Sequence, residues 1–150
     1  PLLSKKNQPI IIMHSISTPK LMQKKINYKN IILDVYDFLE KKIIECEESN
    51  IDRSSIIVDP GIGFGKNVKQ NLKLIENIAL FHSLGVPVLI GSSRKSFISK
   101  IIKNTLVNNR IGGSISSVIY SLSQGVQIFR VHDVFETNEA ISIYRNITKI

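Results

Sequence analysis

The sequence predicts an α/β fold built from four βα units with parallel strands. Four short apolar runs recur along the chain, and each is followed by a segment in which apolar residues repeat at helical spacing. The runs are rich in isoleucine and valine and lack polar alternation, which is typical of parallel strands covered by helices on both faces. Right-handed crossovers are therefore expected between neighbouring strands.

The first two units occupy the N-terminal half of the chain. Strands are predicted from Pro9 to Met13 and from Ser55 to Asp59, where the apolar runs lie. The spacing of Asn67 and Gln70 is that of a capping box, so a helix is expected to begin just after the second strand. The apolar faces of the two helices are predicted to carry Ile32, Tyr36, Leu39 and Ile43 in the first, and Leu72, Ile75, Ala79 and His82 in the second.

The last two units follow the same order. Strands are predicted from Pro87 to Gly91 and from Val126 to Val131, and Gly125 is placed as the stop of the helix between them. Asp133 with Glu136 has capping-box spacing and predicts the start of the final helix. The predicted apolar faces are Ile111, Ile115, Val118, Ile119 and Leu122 in the third helix, and Ala140, Ile141, Tyr144 and Ile147 in the fourth.

Length and composition predict one globular domain over residues 1–150. The chain is 43% hydrophobic, and no linker or low-complexity tract divides it. No apolar run approaches the roughly 18 to 20 residues of a membrane helix, and the start of the chain lacks a signal peptide, so a cytoplasmic protein without a membrane partner is expected. Cys46 is the only cysteine, which excludes an intrachain disulfide and favours a packing role.

The net charge of +8 raises the question of a polyanionic partner. The lysines are scattered along the chain, so no nucleic-acid partner is expected, whereas a small phosphorylated substrate remains compatible with a cleft lined by a few cations. Four units are too few for a closed eight-fold barrel of about 250 residues. The pattern alone leaves open a small open sheet and half of a barrel, and the start at Pro1 favours a truncated product.

The unusual polar residues follow the predicted strands, at the edge where parallel α/β folds form their active sites. His14 follows the first strand, Asp59 closes the second, Ser93-Arg94-Lys95-Ser96 follows the third, and Arg130 and His132 lie at the end of the fourth. A lone histidine after a strand is more often a structural hydrogen-bonding residue, which is the interpretation favoured for His14. His82 is expected to be structural as well.

The segment Asp59-Pro60-Gly61-Ile62-Gly63-Phe64-Gly65-Lys66-Asn67 predicts a binding loop. Its glycines allow close approach of a ligand, Phe64 offers an aromatic face, and a planar amino-heterocycle would satisfy the carboxylate of Asp59. A turn or capping role for Asp59 is the alternative. The loop lacks the glycine and the Ser or Thr of a Walker loop and the third glycine of a Rossmann fingerprint.

Two further motifs indicate an anion site. Gly91-Ser92-Ser93-Arg94-Lys95-Ser96 leads into a helix start with free backbone N–H groups, and Arg130 and His132 are two residues apart on a strand and so share a face. The alternatives are a serine-capped helix with solvated cations for the first motif and an ion pair with Asp133 or Glu136 for the second. No zinc-ligand spacing and no nucleophilic triad can be identified.

Together, Met13-His14 with Thr18-Pro19, the Asp59 to Asn67 segment, the Gly91 to Ser96 segment and Arg130-Val131-His132-Asp133-Val134 closely resemble the dihydropteroate synthase family. Members of that family are (βα)8 TIM barrels, so the resemblance implies that the chain is the C-terminal half, units five to eight. The family joins dihydropterin pyrophosphate to p-aminobenzoate in folate synthesis, releasing pyrophosphate. It is the target of sulfonamides, which mimic the second substrate.

The resemblance also implies site residues. Asp59, Lys95 and Gly91 would hold the pterin, with Asp59 and Lys95 as catalytic residues; Arg130 and His132 would hold pyrophosphate; Phe64, Lys66 and Ser93 would surround p-aminobenzoate. Mg²⁺ is implied as cofactor, with its ligand in a missing N-terminal half and no metal ligand in this chain. A homodimer is expected for the complete protein.

Two departures from the family pattern bear on activity. The first-half motifs are absent from the sequence, and Ser15-Ile16-Ser17 replaces the usual Met-Gln-Gly. The isolated chain is therefore expected to be inactive. A non-catalytic remnant or partner subunit that binds pterin or pyrophosphate is the alternative. A methyltetrahydrofolate-binding methyltransferase is disfavoured by the Ser-Arg-Lys-Ser and Arg-Val-His motifs.

Overall fold

A computed structural model describes residues 8–15, 28–103 and 106–149. Ser17, Thr18 and Pro19, which the sequence analysis singled out, lie outside the described residues. Within them the chain forms an α/β structure whose strands are all parallel, as predicted. The strands are β1 (Ile10–Met13), β2 (Ile56–Asp59), β3 (Leu89–Ile90) and β4 (Ile128–Phe129).

The four strands follow one another in chain order. In the β1–β2 pair Ile10 lies opposite Ile56, and β3 pairs with β4. A parallel bridge between Val58 and Val88 connects the two pairs. The predicted strands are confirmed in position, and β4 is shorter than the run from Val126 to Val131. Because all four run the same way, their carboxyl ends lie at one edge.

Five α-helices connect and follow the strands. They are α1 (Ile31–Glu48), α2 (Val68–Glu76), α3 (Ser96–Ile101), α4 (Ile111–Ser123) and α5 (Val134–Thr148). Short 3-10 helices cover Arg53–Ser55, Ile78–Leu84 and Val107–Arg110. None of the helices in this part of the chain is long and apolar enough to cross a membrane.

Local signals predicted several helix ends correctly. Asn67 and Gln70 form the predicted capping box at the start of α2. Gly125 adopts a φ of +88° after α4, and its N–H donates to the carbonyl of Leu122 at 2.9 Å, as expected for a helix stop. The Asn30 side chain caps α1 by accepting from two backbone N–H groups.

The core lies between the sheet and the helices. Val35, Leu39 and Ile43 of α1 pack there with Leu74 of α2 and Phe81. Cys46 is half-buried against this core, which confirms its packing role. His82 Nε2 lies 2.9 Å from the carbonyl oxygen of Gln124, and this contact confirms the structural role predicted for that histidine.

The predicted apolar face of the second helix is wrong in part. Helix α2 ends at Glu76, and a 3-10 helix takes over from Ile78. Within α2 itself Leu72 is exposed, whereas Asn71 and Ile75 are buried. The tighter winding that follows changes the period, so Ala79 is exposed as well. In α5 the predicted face is likewise only partly covered, since Ile147 is 75% exposed.

Candidate active site

The candidate site lies where the four strands end. His14 directly follows β1, Asp59 is the last residue of β2, Gly91 follows β3, and Arg130 follows β4. The backbone N–H of His14 donates to the carbonyl of Asp59 at 2.9 Å, and that of Arg130 donates to the carbonyl of Ile90 at 3.0 Å. Strand pairing thus places the polar residues predicted from the sequence at one edge.

Asp59 is a buried carboxylate, only 8% exposed. Its Oδ1 accepts a hydrogen bond from the N–H of Gly61 at 2.7 Å. Burial raises the pKa of Asp59, and this effect is opposed by the Gly61 hydrogen bond and by the positive charges of Lys95, Lys66 and Arg130. A carboxylate desolvated in this way binds strongly to a ligand that donates hydrogen bonds to it.

The loop after β2 needs glycine for backbone reasons. Gly61 has a φ of +72°, and a Cβ there would lie 1.9 Å from the carbonyl oxygen of His14. Gly63 has a φ of +82°, and its Cβ would lie 3.0 Å from Cδ of Lys95. The backbone at the end of β1 therefore approaches Gly61 more closely than a side chain there would allow, and the Lys95 side chain packs tightly against Gly63.

Lys66 closes the loop with its ammonium turned into the protein. Nζ donates to the carbonyl oxygens of Gly61 and Phe64, each at 2.9 Å, and lies 2.9 Å from Nδ1 of His14. The residue is 6% exposed. Burial lowers the pKa of Lys66 to about 7, Asp59 opposes this shift, and the charge of Lys95 adds to it.

His14 is the buried partner of this lysine. Burial, followed by the positive charge of Lys66, lowers the pKa of His14 to about 4. The neutral ring accepts from the lysine through Nδ1, so the second nitrogen carries the proton. Phe38 packs edge-on against the ring at a centroid distance of 4.8 Å. These contacts agree with the structural role expected for His14.

Lys95 and Phe64 form a cation–π pair beside Asp59. Nζ of Lys95 lies 3.8 Å from the centroid of the Phe64 ring. Burial lowers the pKa of Lys95, while Asp59 raises it. A carboxylate, an ammonium and an aromatic face therefore meet at the ends of β2 and β3, as the sequence analysis expected.

Ser93 holds His132. The Ser93 hydroxyl oxygen accepts from the backbone N–H of His132 at 3.2 Å and lies 3.1 Å from Nδ1 of its ring. Ser93 is buried, whereas the side chains of Arg130 and His132 are exposed. Arg130 and His132 are thus exposed at the strand edge, with His132 held by Ser93. A Cβ at Gly91 would lie 3.8 Å from the Arg130 Cβ.

The capping box predicted at Asp133 and Glu136 is wrong. Asp133 occupies the N-cap position of α5 but makes no side-chain capping bond. Its carboxylate instead accepts from Arg94, with Nε 3.0 Å from Oδ2 and Nη2 bonded to Oδ1. A bidentate guanidinium binds a carboxylate more strongly than a single backbone N–H does. Asp133 therefore pairs with Arg94 and not with Arg130 or His132.

Asn71 supports the loop and was not identified from the sequence. Its Oδ1 accepts from the N–H of Gly63 at 2.6 Å, and its Nδ2 donates to the carbonyls of Lys66 and Asn67. The residue is 2% exposed. A polar residue on the inner face of α2, four positions after the cap, was the available signal.

Metal ligands do not cluster in the described part of the chain. Over residues 8–15, 28–103 and 106–149, no group of three or more His, Cys, Asp or Glu side chains is placed to hold a metal ion.

This chain is similar to known proteins over most of its length. Residues 1–132 match the pterin binding enzyme family. The chain is 37% identical over 135 residues to dihydropteroate synthase of Escherichia coli K12, covering 90% of this chain and 48% of that protein. It is 38% identical over 137 residues to the Haemophilus influenzae enzyme, covering 91% and 50%. The chain thus spans about half the length of the curated relatives it matches.

Solved structures give the same result. The Yersinia pestis dihydropteroate synthase in complex with a sulfonamide drug superposes with a TM-score of 0.93 at 34% identity, covering 97% of this chain and 53% of that one. The Xanthomonas albilineans enzyme in complex with 7,8-dihydropteroate gives a TM-score of 0.89 at 30% identity, covering 99% and 53%. These superpositions confirm the predicted fold class, four parallel βα units corresponding to half of a (βα)8 barrel.

Proposed function

The chain belongs to the pterin binding enzyme family, and from this we propose that it contributes half of the active site of a dihydropteroate synthase. The proposed reaction joins 6-hydroxymethyl-7,8-dihydropterin pyrophosphate to p-aminobenzoate, giving 7,8-dihydropteroate and pyrophosphate. The observation that carries the proposal is the buried Asp59 carboxylate, which interacts with the charge of Lys95, together with the position of the Lys95 ammonium over the Phe64 ring. We propose that residues 1–150 form one partial pterin-binding domain, units five to eight of the barrel.

Asp59 and Lys95 are assigned to the pterin. The Asp59 carboxylate accepts hydrogen bonds from the ring N–H groups, for which its position as a buried acceptor suits it. Its negative charge also offsets the positive charge that develops on the pterin methylene carbon as the bond to pyrophosphate breaks. Lys95, packed against Gly63, provides a donor on the opposite side, and Gly91 allows the ring to approach the backbone.

Arg130 and His132 are assigned to the departing pyrophosphate. Both side chains are exposed at the strand edge, and Ser93 holds the ring of His132 from below. As the carbon–oxygen bond breaks, its electron pair leaves with the pyrophosphate, and the nearby cations stabilise that charge. The amine of p-aminobenzoate then forms the new carbon–nitrogen bond and releases a proton.

The p-aminobenzoate site is assigned to the surroundings of the Phe64 ring. Phe64, Lys66 and Ser93 are proposed to surround this site, with Phe64 as the group that faces the substrate and the buried Lys66 ammonium bonded within the protein. Relatives of this chain bind a sulfonamide drug and 4-aminobenzoic acid, and we propose that sulfonamides compete with p-aminobenzoate in this protein. Correct alignment of the amine with the methylene carbon supplies much of the rate.

By family resemblance we also propose that the complete protein binds Mg²⁺, lies in the cytoplasm and forms a homodimer. Bound Mg²⁺ would neutralise pyrophosphate charge. The described residues present no cluster able to hold it, so no step is assigned to the ion in this chain.

The test is an assay of the protein at its full encoded length with dihydropterin pyrophosphate and p-aminobenzoate. Lys95→Ala is expected to lower turnover by on the order of 100-fold or more without changing the thermal midpoint, because it removes a charged group from the site. Lys100→Ala alters an exposed lysine of α3 and is the matched control, expected to leave activity unchanged.

Near-normal turnover in Lys95→Ala would overturn the site assignment. If the wild-type protein binds pterin or pyrophosphate and forms no product, the non-catalytic alternative replaces the synthase.

A further inference from the structure

Every proton of the Lys66 ammonium is used within the protein. An ammonium donates three hydrogen bonds, and Lys66 has three acceptors at 2.9 Å, namely Nδ1 of His14 and the carbonyl oxygens of Gly61 and Phe64. The carbonyl of His14 lies further away, at 3.5 Å. The bonds link the end of β1 to both sides of the glycine loop.

We propose that Lys66 is a positioning residue, which holds Asp59 and Phe64 in their working places and does not itself contact p-aminobenzoate. The proposal rests on the proposed function for its substrates. It differs from direct binding of p-aminobenzoate, the role that family resemblance implied for this lysine, because the ammonium is buried and its three donors are bonded within the protein.

The hydrogen bonds of Lys66 restrain the positions of Asp59 and Phe64. Gly61 presents its carbonyl to Lys66 at 2.9 Å and its N–H to Oδ1 of Asp59 at 2.7 Å, so the ammonium and the carboxylate are joined through one residue. The carbonyl of Phe64 is held by the same ammonium, and the Phe64 ring lies under Nζ of Lys95. Freeing the lysine would release both residues together.

Holding the glycine loop in one conformation has an entropic cost. Three glycines of the loop have φ between +62° and +82°, a flexible arrangement that glycine leaves open to many alternatives in the absence of restraints. Asn71 provides the second restraint through its bond to the N–H of Gly63. With Gly61, Gly63 and Phe64 each anchored, the loop has little freedom left.

Three hydrogen bonds and the charge of Asp59 offset the burial of the Lys66 ammonium. Lys66 faces His14 after β1, Asp59 on β2 and Lys95 after β3, and burial lowers its pKa to about 7. Asp59 favours the charged ammonium, whereas Lys95 disfavours it. His14 stays neutral, since its own pKa is lowered to about 4, and thus remains an acceptor for Lys66 at neutral pH.

The first experiment compares Lys66→Met with Lys69→Met in the protein at its full encoded length. Methionine keeps the length of the side chain without its hydrogen bonds, and Lys69 is an exposed lysine in the first turn of α2. Hydrogen exchange at the amides of Gly63 and Phe64 is expected to accelerate at least about tenfold in Lys66→Met only, with α4 unchanged. Hydrogen exchange is measured without any enzyme activity, so the result tests the role of Lys66 even if the proposed synthase function is wrong.

Kinetics separate positioning from binding. A positioning role predicts that Lys66→Met lowers kcat about tenfold or more and changes the KM for p-aminobenzoate less than about threefold. A rise in that KM by about tenfold, with kcat and loop exchange unchanged, would overturn the proposal. If wild-type protein makes no dihydropteroate, the synthase proposal fails while the exchange result still decides the role of Lys66.

A measurement on unmodified protein covers the case in which Lys66→Met does not fold. The ¹⁵N signals of the lysine ammonium groups are recorded with and without p-aminobenzoate. The Lys66 signal is expected to stay in place while that of Lys95 shifts. A larger shift for Lys66 than for Lys95 would show direct contact and refute the positioning role.

Discussion

The guanidinium of Arg94 binds the carboxylate of Asp133 across 39 residues of sequence, with Nε donating to Oδ2 at 3.0 Å and Nη2 donating to Oδ1. The Arg94 carbonyl in turn accepts from Arg110. This pair ties the loop after β3, which carries Lys95, to the start of α5, directly after His132. An ion pair outside the proposed substrate site therefore holds Lys95 and His132 in place relative to each other.

Replacing Asp133 tests this connection. Asp133→Asn keeps the shape of the side chain and loses its charge, so the bidentate pair weakens. We expect kcat/KM to fall on the order of tenfold, because Lys95 and His132 lose their mutual alignment. Glu76→Gln is the control, since it breaks the exposed Lys73–Glu76 pair and is expected to have no measurable effect. Equal activity of the two variants would contradict the prediction.

Gly61 and Gly112 form a matched pair for stability. A Cβ at Gly61 would collide with the carbonyl oxygen of His14 at 1.9 Å, whereas a Cβ at Gly112 meets nothing within 4 Å. Gly61→Ala is expected to destabilise the protein by more than about 3 kcal/mol. Gly112→Ala is expected to stabilise it by about 0.5–1 kcal/mol, because alanine favours the helix. Urea unfolding measures both, and a mild effect at Gly61 would show that the loop relaxes.

Arg130 tests the pyrophosphate assignment. Arg130→Ala removes an exposed cation at the end of β4, so most activity is expected to disappear while the thermal midpoint stays unchanged. Inhibition by added pyrophosphate should weaken at least about tenfold, since a charge-assisted contact is lost. Arg145→Ala, at an exposed arginine of α5, should retain both activity and inhibition. Unchanged pyrophosphate inhibition in Arg130→Ala would place the anion elsewhere.

His14 predicts a dependence of stability on pH. Its pKa is about 4 in the folded protein, lowered from 6.5 by burial and by Lys66, while Asp34 acts in the opposite direction. Between these values the unfolded chain binds the extra proton, so the stabilising effect of neutral His14 is lost as the pH falls from 6.5 to 4. His14→Gln cannot titrate, and its free energy of unfolding should fall less over this window.

The comparison is made by chemical denaturation at several pH values. Because other titratable groups are common to both proteins, the difference between wild type and His14→Gln isolates the histidine. The same pH slope in the two proteins would contradict the low pKa of His14.

Much of the fold could be predicted from the sequence because its signals are local. The capping box of Asn67 and Gln70 needs only residues three apart, and the apolar runs identify strands from their own composition. The face of α2 and the role of Asp133 could not be predicted in this way. In α2 the polar Asn71 takes a buried position while Leu72 is exposed, and the 3-10 helix changes the period only from Ile78 onward. For Asp133, a distant arginine outcompeted the backbone N–H groups.

The sequence by itself indicated the candidate site residues and determined that they share one edge, because strand ends and glycine turns are properties of short segments. Only the tertiary structure decided the partners of those residues. Lys66 and His14 meet across 52 positions, and Arg94 and Asp133 across 39. Parallel strand pairing brings such distant segments together. The distance, charge and burial of the side chains then determine which of them form hydrogen bonds and ion pairs. The burial of the Lys66 ammonium among His14, Gly61 and Phe64 follows from that pairing.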